Sequence, residues 1–414
     1  MPLPGSRLMN KPSYLLLLVA ILSITHPLKA AAQLTAEEAV ARALENHPAL
    51  RGAQLAVEEE KGTALQAGLP PNPELEIGVE SWSVSGNREN SPEFLAGVSQ
   101  TLPLSGARRA VWQAGLAGVE AAGLEAQSLR REITAEVEIL FYKSLAAQQR
   151  AAIAEENCSR QETLLELTRK RFELGDIPEV DYMRTSAEQA RYQAELQEHI
   201  LERDSLRAQL AHLCGITPDN FPECAGELAP HPEALPSAAG MEEKLLNSPR
   251  HQARLLRETQ ASGDADAVRR AALPEPNLRV GLRRDTGERS NALDVGLSFG
   301  LPLFDRNQGA LTAARARAQR VRAENEAALR EETRQAIALL NEARSALSSA
   351  EQLRSSVLSQ QEAARDALEQ ALQLGGATLF EVLAEYRGIS ETKRVLLDKE
   401  TQARLALIDL TALL

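Results

Sequence analysis

The strongest constraint on the fold of this chain is that it is written twice. Val98-Ser-Gln-Thr-Leu-Pro-Leu104 returns about 200 residues later as Leu297-Ser-Phe-Gly-Leu-Pro-Leu303, and each copy opens a stretch of about 65 residues without proline. Other marks keep the spacing: Asn46-His47-Pro48 answers Asn247-Ser248-Pro249, and Leu174-Gly175 answers Leu374-Gly375. A unit repeated in this way predicts an architecture built by repetition. Each half reads as a helix, two strands, a very long helix, a Leu-Gly reversal and a returning helix. The first repeat spans 33–236, with strands over 73–82 and 94–102, a helix over 106–173, a tip turn and a helix over 179–213. The second spans 237–414, with strands over 277–284 and 292–300, a helix over 307–373, a tip turn and a helix over 379–413. The fold class is α+β, mostly α.

At 1.5 Å per residue the two proline-free stretches would each be about 100 Å long. Helices of that length do not fold alone in a globule, and the composition agrees: aromatic residues are only 3% of 414, so the chain buries a seam of small and aliphatic side chains. Ala107, Ala110, Ala114, Ala117 and Ala121 permit close approach of neighbouring helices, while Ile133, Val137, Leu140, Tyr142 and Leu145 spread over more than one stripe. A helix that packs on two sides suits a cylinder wall. Pro103 and Pro302 end the strands, and Ser105 and Asp305 stand where they would cap the helices that follow. Gly175 and Gly375 sit at the reversals, where glycine tolerates the left-handed backbone of a helix C-terminus.

The N-terminus supplies an address. Arg7 and Lys11 precede an apolar run from Tyr14 to Ile24, and Ala30-Ala31-Ala32 provides a small-residue cleavage site, so residues 1–32 read as a secretory signal peptide. No later stretch reaches the roughly 20 apolar residues of a transmembrane helix, which leaves a β-barrel as the route into a bilayer. The net charge of −12, with no basic stripe interleaved with aromatics, excludes a nucleic-acid partner.

The strands are two-faced. Leu75, Ile77 and Val79 alternate with Glu74, Glu76 and Glu80; Leu278, Val280 and Leu282 alternate with Arg279 and Arg283; Leu293, Val295, Leu297 and Phe299 alternate with Asp294, Gly296, Ser298 and Gly300. Such strands fit either a half-buried antiparallel sheet or a barrel with lipid outside and a wet lumen. Four strands are too few to close a barrel, since small closed barrels begin near eight. If they form a barrel wall, several chains pool them.

Leu301-Pro-Leu-Phe-Asp-Arg-Asn-Gln-Gly309, with Leu69-Pro-Pro-Asn-Pro-Glu-Leu75 and Ser99-Gln-Thr-Leu-Pro-Leu104, resembles the TolC-type outer-membrane efflux family in its CzcC-like heavy-metal branch, and the likeness spans both halves. The resemblance implies a homotrimer whose pooled strands form a barrel in outer-membrane lipid and whose helices continue it as a periplasmic α-helical barrel. It also implies docking to a periplasmic adaptor of the membrane fusion type and to an inner-membrane pump of the resistance-nodulation-division class, with divalent heavy-metal cations as cargo. In such ducts the helix reversals form the adaptor-docking tip, and Arg171, Leu174, Gly175, Asp176 and Ile177 match it in the first half, with Leu374, Gly375, Gly376, Ala377 and Thr378 in the second. Ala371 replaces the counterpart of Arg171. A TolC-like duct for drugs or secreted proteins would share the fold, and a soluble periplasmic coiled-coil scaffold would share the helices.

Glu362, Asp366 and Glu369 stand at spacings of four and three on one helix face near the second reversal. They form either a solvated face or, repeated around a three-fold axis, a pore constriction that gates or selects cations. Cys214 and Cys224 flank a proline-containing loop in an oxidising compartment and are candidates for a disulfide, with Cys158 left over. His212, Cys214, Cys224 and His231 match no standard zinc spacing, so no metal site is assigned. No nucleophile elbow, phosphate loop or metalloprotease motif is present, which points to a conduit with no catalytic residue and no cofactor.

Overall fold

The computed structural model describes residues 33–45, 47–80, 92–218, 221–231, 233, 235–237, 240–374 and 376–414. The expected signal peptide, Asn46 and Gly375 lie outside them. In chain order the elements are β1 (Gln33–Leu34), α1 (Ala36–Glu45), α2 (Pro48–Gly68), β2 (Glu74–Glu80), β3 (Glu93–Thr101), α3 (Ala107–Glu173) and α4 (Glu179–Leu213). They continue as β4 (Glu223–Cys224), α5 (Met241–Leu246), α6 (Pro249–Arg270), β5 (Asn277–Asp285), β6 (Ser290–Ser298), α7 (Gln308–Gln352), α8 (Ser359–Gln373) and α9 (Leu379–Leu413).

The repeated Asn-x-Pro marks are helix starts. His47 caps α2 by accepting the N–H of Ala49, Ser248 caps α6 by accepting that of His251, and the proline after each fills the first helical turn, where its missing N–H costs nothing. The long helices begin differently from the expectation. Their N-caps are Gly106 and Asn307, both left-handed at φ 71° and 59°. Ser105 and Asp305 stand one and two residues further back, Ser105 Oγ accepting the N–H of Ala107 and Asp305 Oδ1 that of Asn307.

The 67-residue α3 is the spine of the molecule. Near its start it meets α2 and α6 at small residues. A Cβ on Gly115 would stand 2.8 Å from the Cβ of Ala64, and a Cβ on Gly263 would stand 2.8 Å from that of Ala114. At mid-length Ile133, Val137, Phe141 and Leu145 join Leu34, Ala39, Ala43, Leu210, Ala211, Phe221 and Leu397 in the main core, and Met241, Leu245, Ala336, Leu340 and Leu410 form a second core. Beyond it α3 runs beside α4, where Gln161 Nε2 reaches the carbonyl of Thr185. The expected second long helix is not uniform: a π-helical segment, Leu353–Leu358, joins α7 to α8 and buries no side chain.

The sheet order is β2-β3-β5-β6, antiparallel throughout, and the central β3–β5 pair joins the two halves of the chain. A separate two-residue pairing, β1 with β4, ties Leu34 to Cys224 beside the main core. Among the described residues, no helix is long and apolar enough to cross a membrane.

Candidate functional site

Directly opposed residues share a face of a sheet, so the pairing register sorts the side chains. Leu75, Ile77 and Val79 lie opposite Val98, Ala96 and Phe94; Val98 and Ala96 lie opposite Val280 and Leu282, and these lie opposite Val295 and Leu293. One face of all four strands is therefore apolar. It is also uncovered, with Ile77 at 75%, Leu282 at 63% and Leu297 at 62% exposure. A continuous apolar sheet face left open by its own chain marks a contact with lipid or protein.

The other face is charged and internally paired. Arg279 Nη2 stands 3.2 Å from Glu76, and Arg283 reaches Asp294 at 2.9 Å, Glu93 at 3.2 Å and Glu80 at 3.9 Å. The two arginines come from the second half and three of their four partners from the first. Ions held together in this way suit a watered surface. At both edges, β2 and β6, the backbone has no further strand neighbour among the described residues of the chain.

The tips lie at the far ends of the long helices. Gly175 adopts φ +78°, its N–H donates to the Phe172 carbonyl at 2.9 Å, and the Asp176 N–H donates to Arg171 O at 2.9 Å, closing α3 in the manner of a Schellman motif. In the second half the Gly376 N–H donates to Ala371 O at 2.8 Å, and Thr378 caps α9 in a capping box with Glu381. These bonds to the Glu381 carboxylate, the Thr378 backbone N–H first and its hydroxyl second, hold it below the usual carboxylate range. Leu174 and Leu374 stand out at 77% and 88% exposure. Ile177 follows in the first turn and Ala377 in the second.

The three carboxylates differ in their partners. Glu369 accepts the Tyr386 hydroxyl of α9, and that bond, with burial second, raises the phenol above its ordinary value. Arg160 lies over the Tyr386 ring, 4.2 Å from its centroid. Asp366 accepts from the neighbouring Arg365 at 2.7 Å and remains exposed. Among the described residues no three His, Cys, Asp or Glu side chains converge as metal ligands.

The expected Cys214–Cys224 bridge is not formed. Both residues sit in the main core as free thiols, with Cys158 also free and buried. Cys214 Sγ lies 3.7 Å from the carbonyl of Ala39 on α1, and the Cys224 backbone on β4 pairs with Leu34 of β1. Burial, first, and the nearby Cys214, second, push the Cys224 thiol up to about 12. At pH 8 its thiolate fraction is about one in ten thousand, so maleimide should label it only after denaturation; rapid labelling of the native protein would contradict the buried thiol.

The sequence reading missed a set of bridges fanning out from α6. Arg257 grips Glu125 of α3 through two 2.9 Å bonds and Glu60 of α2 at 2.7 Å, and Arg254 grips Glu332 of α7 at 2.8 and 2.6 Å. Glu332 is 7% exposed, so the carboxylate of the Arg254 pair is buried while the guanidinium stays partly exposed. The signal available was Arg250, Arg254 and Arg257 at spacings of four and three, one helix face, but a sequence does not say which acids lie opposite.

With this geometry in place, the likenesses fall into line. Residues 39–216 match the family model for outer membrane efflux proteins. The chain is 30% identical to the cobalt-zinc-cadmium resistance protein CzcC of Cupriavidus metallidurans over 70% of this chain and 68% of that one. It is 25% identical to the nickel-cobalt-cadmium resistance protein NccC of Alcaligenes xylosoxydans xylosoxydans over 66% of this chain and 63% of that one. A crystal structure of CusC, described for its folding and transmembrane channel formation, superposes with a TM-score of 0.75 at 19% identity over 91% of each chain. The apolar-and-charged sheet set above long helices, together with this extent of likeness, identifies the chain as a member of the outer membrane efflux protein family, seated in the outer membrane and reaching into the periplasm.

Proposed function

We propose that the chain is the outer-membrane duct of a tripartite efflux system, a homotrimer in which each copy lends four strands to one closed barrel. The observation that carries this is the sheet: among the described residues, an apolar face with no cover, a charged face paired within itself, and two unpaired edges that cannot remain open in hydrocarbon. The long helices would continue the barrel as a periplasmic tunnel, and no residue has a catalytic part in a passive conduit. Divalent heavy-metal ions are the cargo favoured by the names of CzcC and NccC. Glu362 and Asp366 would give the bore an acidic section near the tips that favours cations, while Glu369 would fasten α8 to α9 through Tyr386.

A strain lacking the chain should lose tolerance of cobalt, zinc or cadmium and regain it from a plasmid copy. Restored tolerance of organic toxicants alone would assign the duct to drugs, and recovery of the chain in the soluble fraction without detergent would make it a scaffold.

The partners would be a periplasmic adaptor and an inner-membrane resistance-nodulation-division pump, with the adaptor meeting Arg171, Leu174, Gly175, Asp176, Ile177, Leu374, Gly375, Gly376, Ala377 and Thr378. Leu174→Ser with Leu374→Ser removes two exposed side chains and no core contact. At roughly 1.5–3 kcal/mol for a buried leucine, adaptor affinity should fall by on the order of tenfold or more, with trimer and abundance unchanged. Gly175→Val should act in the same direction through the backbone, since its left-handed φ disfavours any β-branched residue although a Cβ there meets no atom. Cross-linking of tip to adaptor in the periplasm measures both; undiminished capture would place docking elsewhere.

A further inference from the structure

The junction between the two halves of one chain is a pattern for the junction between two chains. We propose that β6 of one copy pairs with β2 of the next in the register that sets Gly296 against Gly78, which rests on the homotrimer reading above and deepens it. The duplication supplies the correspondence. Gly97, Val98, Leu102 and Pro103 after and within β3 match Gly296, Leu297, Leu301 and Pro302 after and within β6, and Pro73, Leu75, Ile77 and Gly78 match Pro276, Leu278, Val280 and Gly281. Within the chain Gly97 pairs with Gly281, Val98 with Val280 and Thr101 with Asn277, and beyond the strand the Leu102 N–H donates to Pro276 O at 2.8 Å. Replacing each residue by its counterpart pairs Gly296 with Gly78, Leu297 with Ile77 and Gly300 with Glu74 of the next copy, and directs the Leu301 N–H at the carbonyl of Pro73.

Three observations agree with this register. The first is the parity of the faces. The operation sets Phe299, Leu297 and Val295 against Leu75, Ile77 and Val79, which continues the apolar face across the seam; a slip of one residue would set each of them against a glutamate or a glycine.

The second is the glycines. Gly97 and Gly281 leave little room for a side chain, because a Cβ on Gly97 would stand 3.1 Å from the Gly281 Cα and 3.2 Å from the Val280 carbonyl. Gly78 and Gly296 have no such reason within one chain: a Cβ on Gly78 meets nothing within 4 Å, and one on Gly296 meets only the Arg279 Cβ at 4.0 Å. The proposed register sets these two glycines against each other and gives them the reason their counterparts have. A slip of two residues would oppose Gly296 to Glu76 or Glu80 instead.

The third is the segment that follows β6. Leu301, Leu303 and Phe304 are 68%, 64% and 92% exposed, yet their loop is internally tied: Leu303 N–H to Leu301 O at 2.8 Å, Gln308 Nε2 to Phe304 O at 3.1 Å and Arg306 N–H to Gln308 Oε1 at 2.8 Å. A fixed loop therefore holds three apolar side chains in the open. Its first-half counterpart lies against the α6–β5 linker, with Ser105 Oγ donating to Glu275 at 2.6 Å. The same operation lays Phe304 against the α2–β2 linker of the next copy, where Leu69 is 45% exposed in a groove shared with Pro70 and Trp112.

Paired cysteines test the register in the full-length protein in outer membranes. Val98→Cys with Val280→Cys is the control and should cross-link within a chain. Leu297→Cys with Ile77→Cys should cross-link between chains with comparable efficiency and give a covalent trimer on a non-reducing gel. Leu297→Cys with Leu75→Cys or with Val79→Cys, both diagonal pairs, should give about tenfold less, because their Cα atoms lie beyond disulfide reach. Mass in non-denaturing detergent is measured for every variant. A trimer that cross-links best through a diagonal pair, or through none of the three, overturns the register and leaves the trimer standing. A mass other than that of a trimer overturns the assembly itself.

Discussion

Val280→Arg is expected to deplete the protein from the outer membrane, whereas Arg279→Gln, one residue away, is expected to leave it there. Val280 lies on the open apolar face between Val98 and Val295, and Arg279 lies on the charged face beside Glu76. Near the midplane of a bilayer an outward arginine costs about 2–4 kcal/mol, and a trimer carries the change at each copy. Loss of the Arg279 pair is worth at most about 1 kcal/mol, since both partners are substantially exposed. Quantitative blotting of outer-membrane fractions, with heat-modified mobility as a measure of folding, reads the contrast. Equal abundance of the two variants would mean that the apolar face does not meet lipid.

The second large effect is expected in the helical part. Gly263→Leu should destabilise the protein or prevent its accumulation, because even a Cβ at 263 falls 2.8 Å from the Ala114 Cβ and 3.4 Å from the Ala114 Cα. The obstruction is a side-chain root and a backbone atom, neither of which can rotate away, so α3 and α6 must separate. Overpacking of this kind costs about 1–3 kcal/mol, and separation would also strain the Arg257 bonds to Glu125 and Glu60. Gly263→Ala should show a smaller loss in the same direction. A denaturation midpoint unchanged by Gly263→Leu would show that the two helices are not in contact at this height.

Local chemistry was legible in the sequence where a single element decides it. The alternation of Leu75, Ile77 and Val79 appears as β2, and that of Leu278, Val280 and Leu282 as β5, because a period of two leaves few alternatives. The prolines of the repeated Asn-x-Pro marks fall in the first turns of α2 and α6, and Gly175 takes the left-handed turn. What depends on two distant segments was not legible. Nothing near Arg254 announces Glu332, nothing near Gly263 announces Ala114, and the two-residue β1–β4 pairing is too short to leave a pattern. The cysteines show the same boundary. Spacing and compartment suggested a bridge, but Cys214 is engaged with Ala39 and Cys224 is set on a strand beside Leu34, contacts that only the fold creates. The carboxylates near the tip show it too: helical spacing put Glu362, Asp366 and Glu369 on one face, but nothing in the sequence announces that Tyr386 on α9 donates to Glu369.

The π-helical segment at Leu353–Leu358 also bears on how this half of the chain tolerates changes in length. A π turn is what an α-helix becomes when it absorbs one surplus residue without turning the remainder of its length. Above it Ala336, Leu340, Ala343, Ala346 and Ala350 keep their buried face, and below it α8 still meets α9 through Glu369 and Tyr386. Removing one residue from the segment, Ser356 for instance, would let it close into an ordinary α-helix with both flanks unmoved. The same deletion at Ala338 would turn everything towards the tip by about 100° and carry Ala343, Ala346 and Ala350 out of the packed face. The second long helix thus contains one short window in which its length can change by a single residue while the residues on either side keep their neighbours.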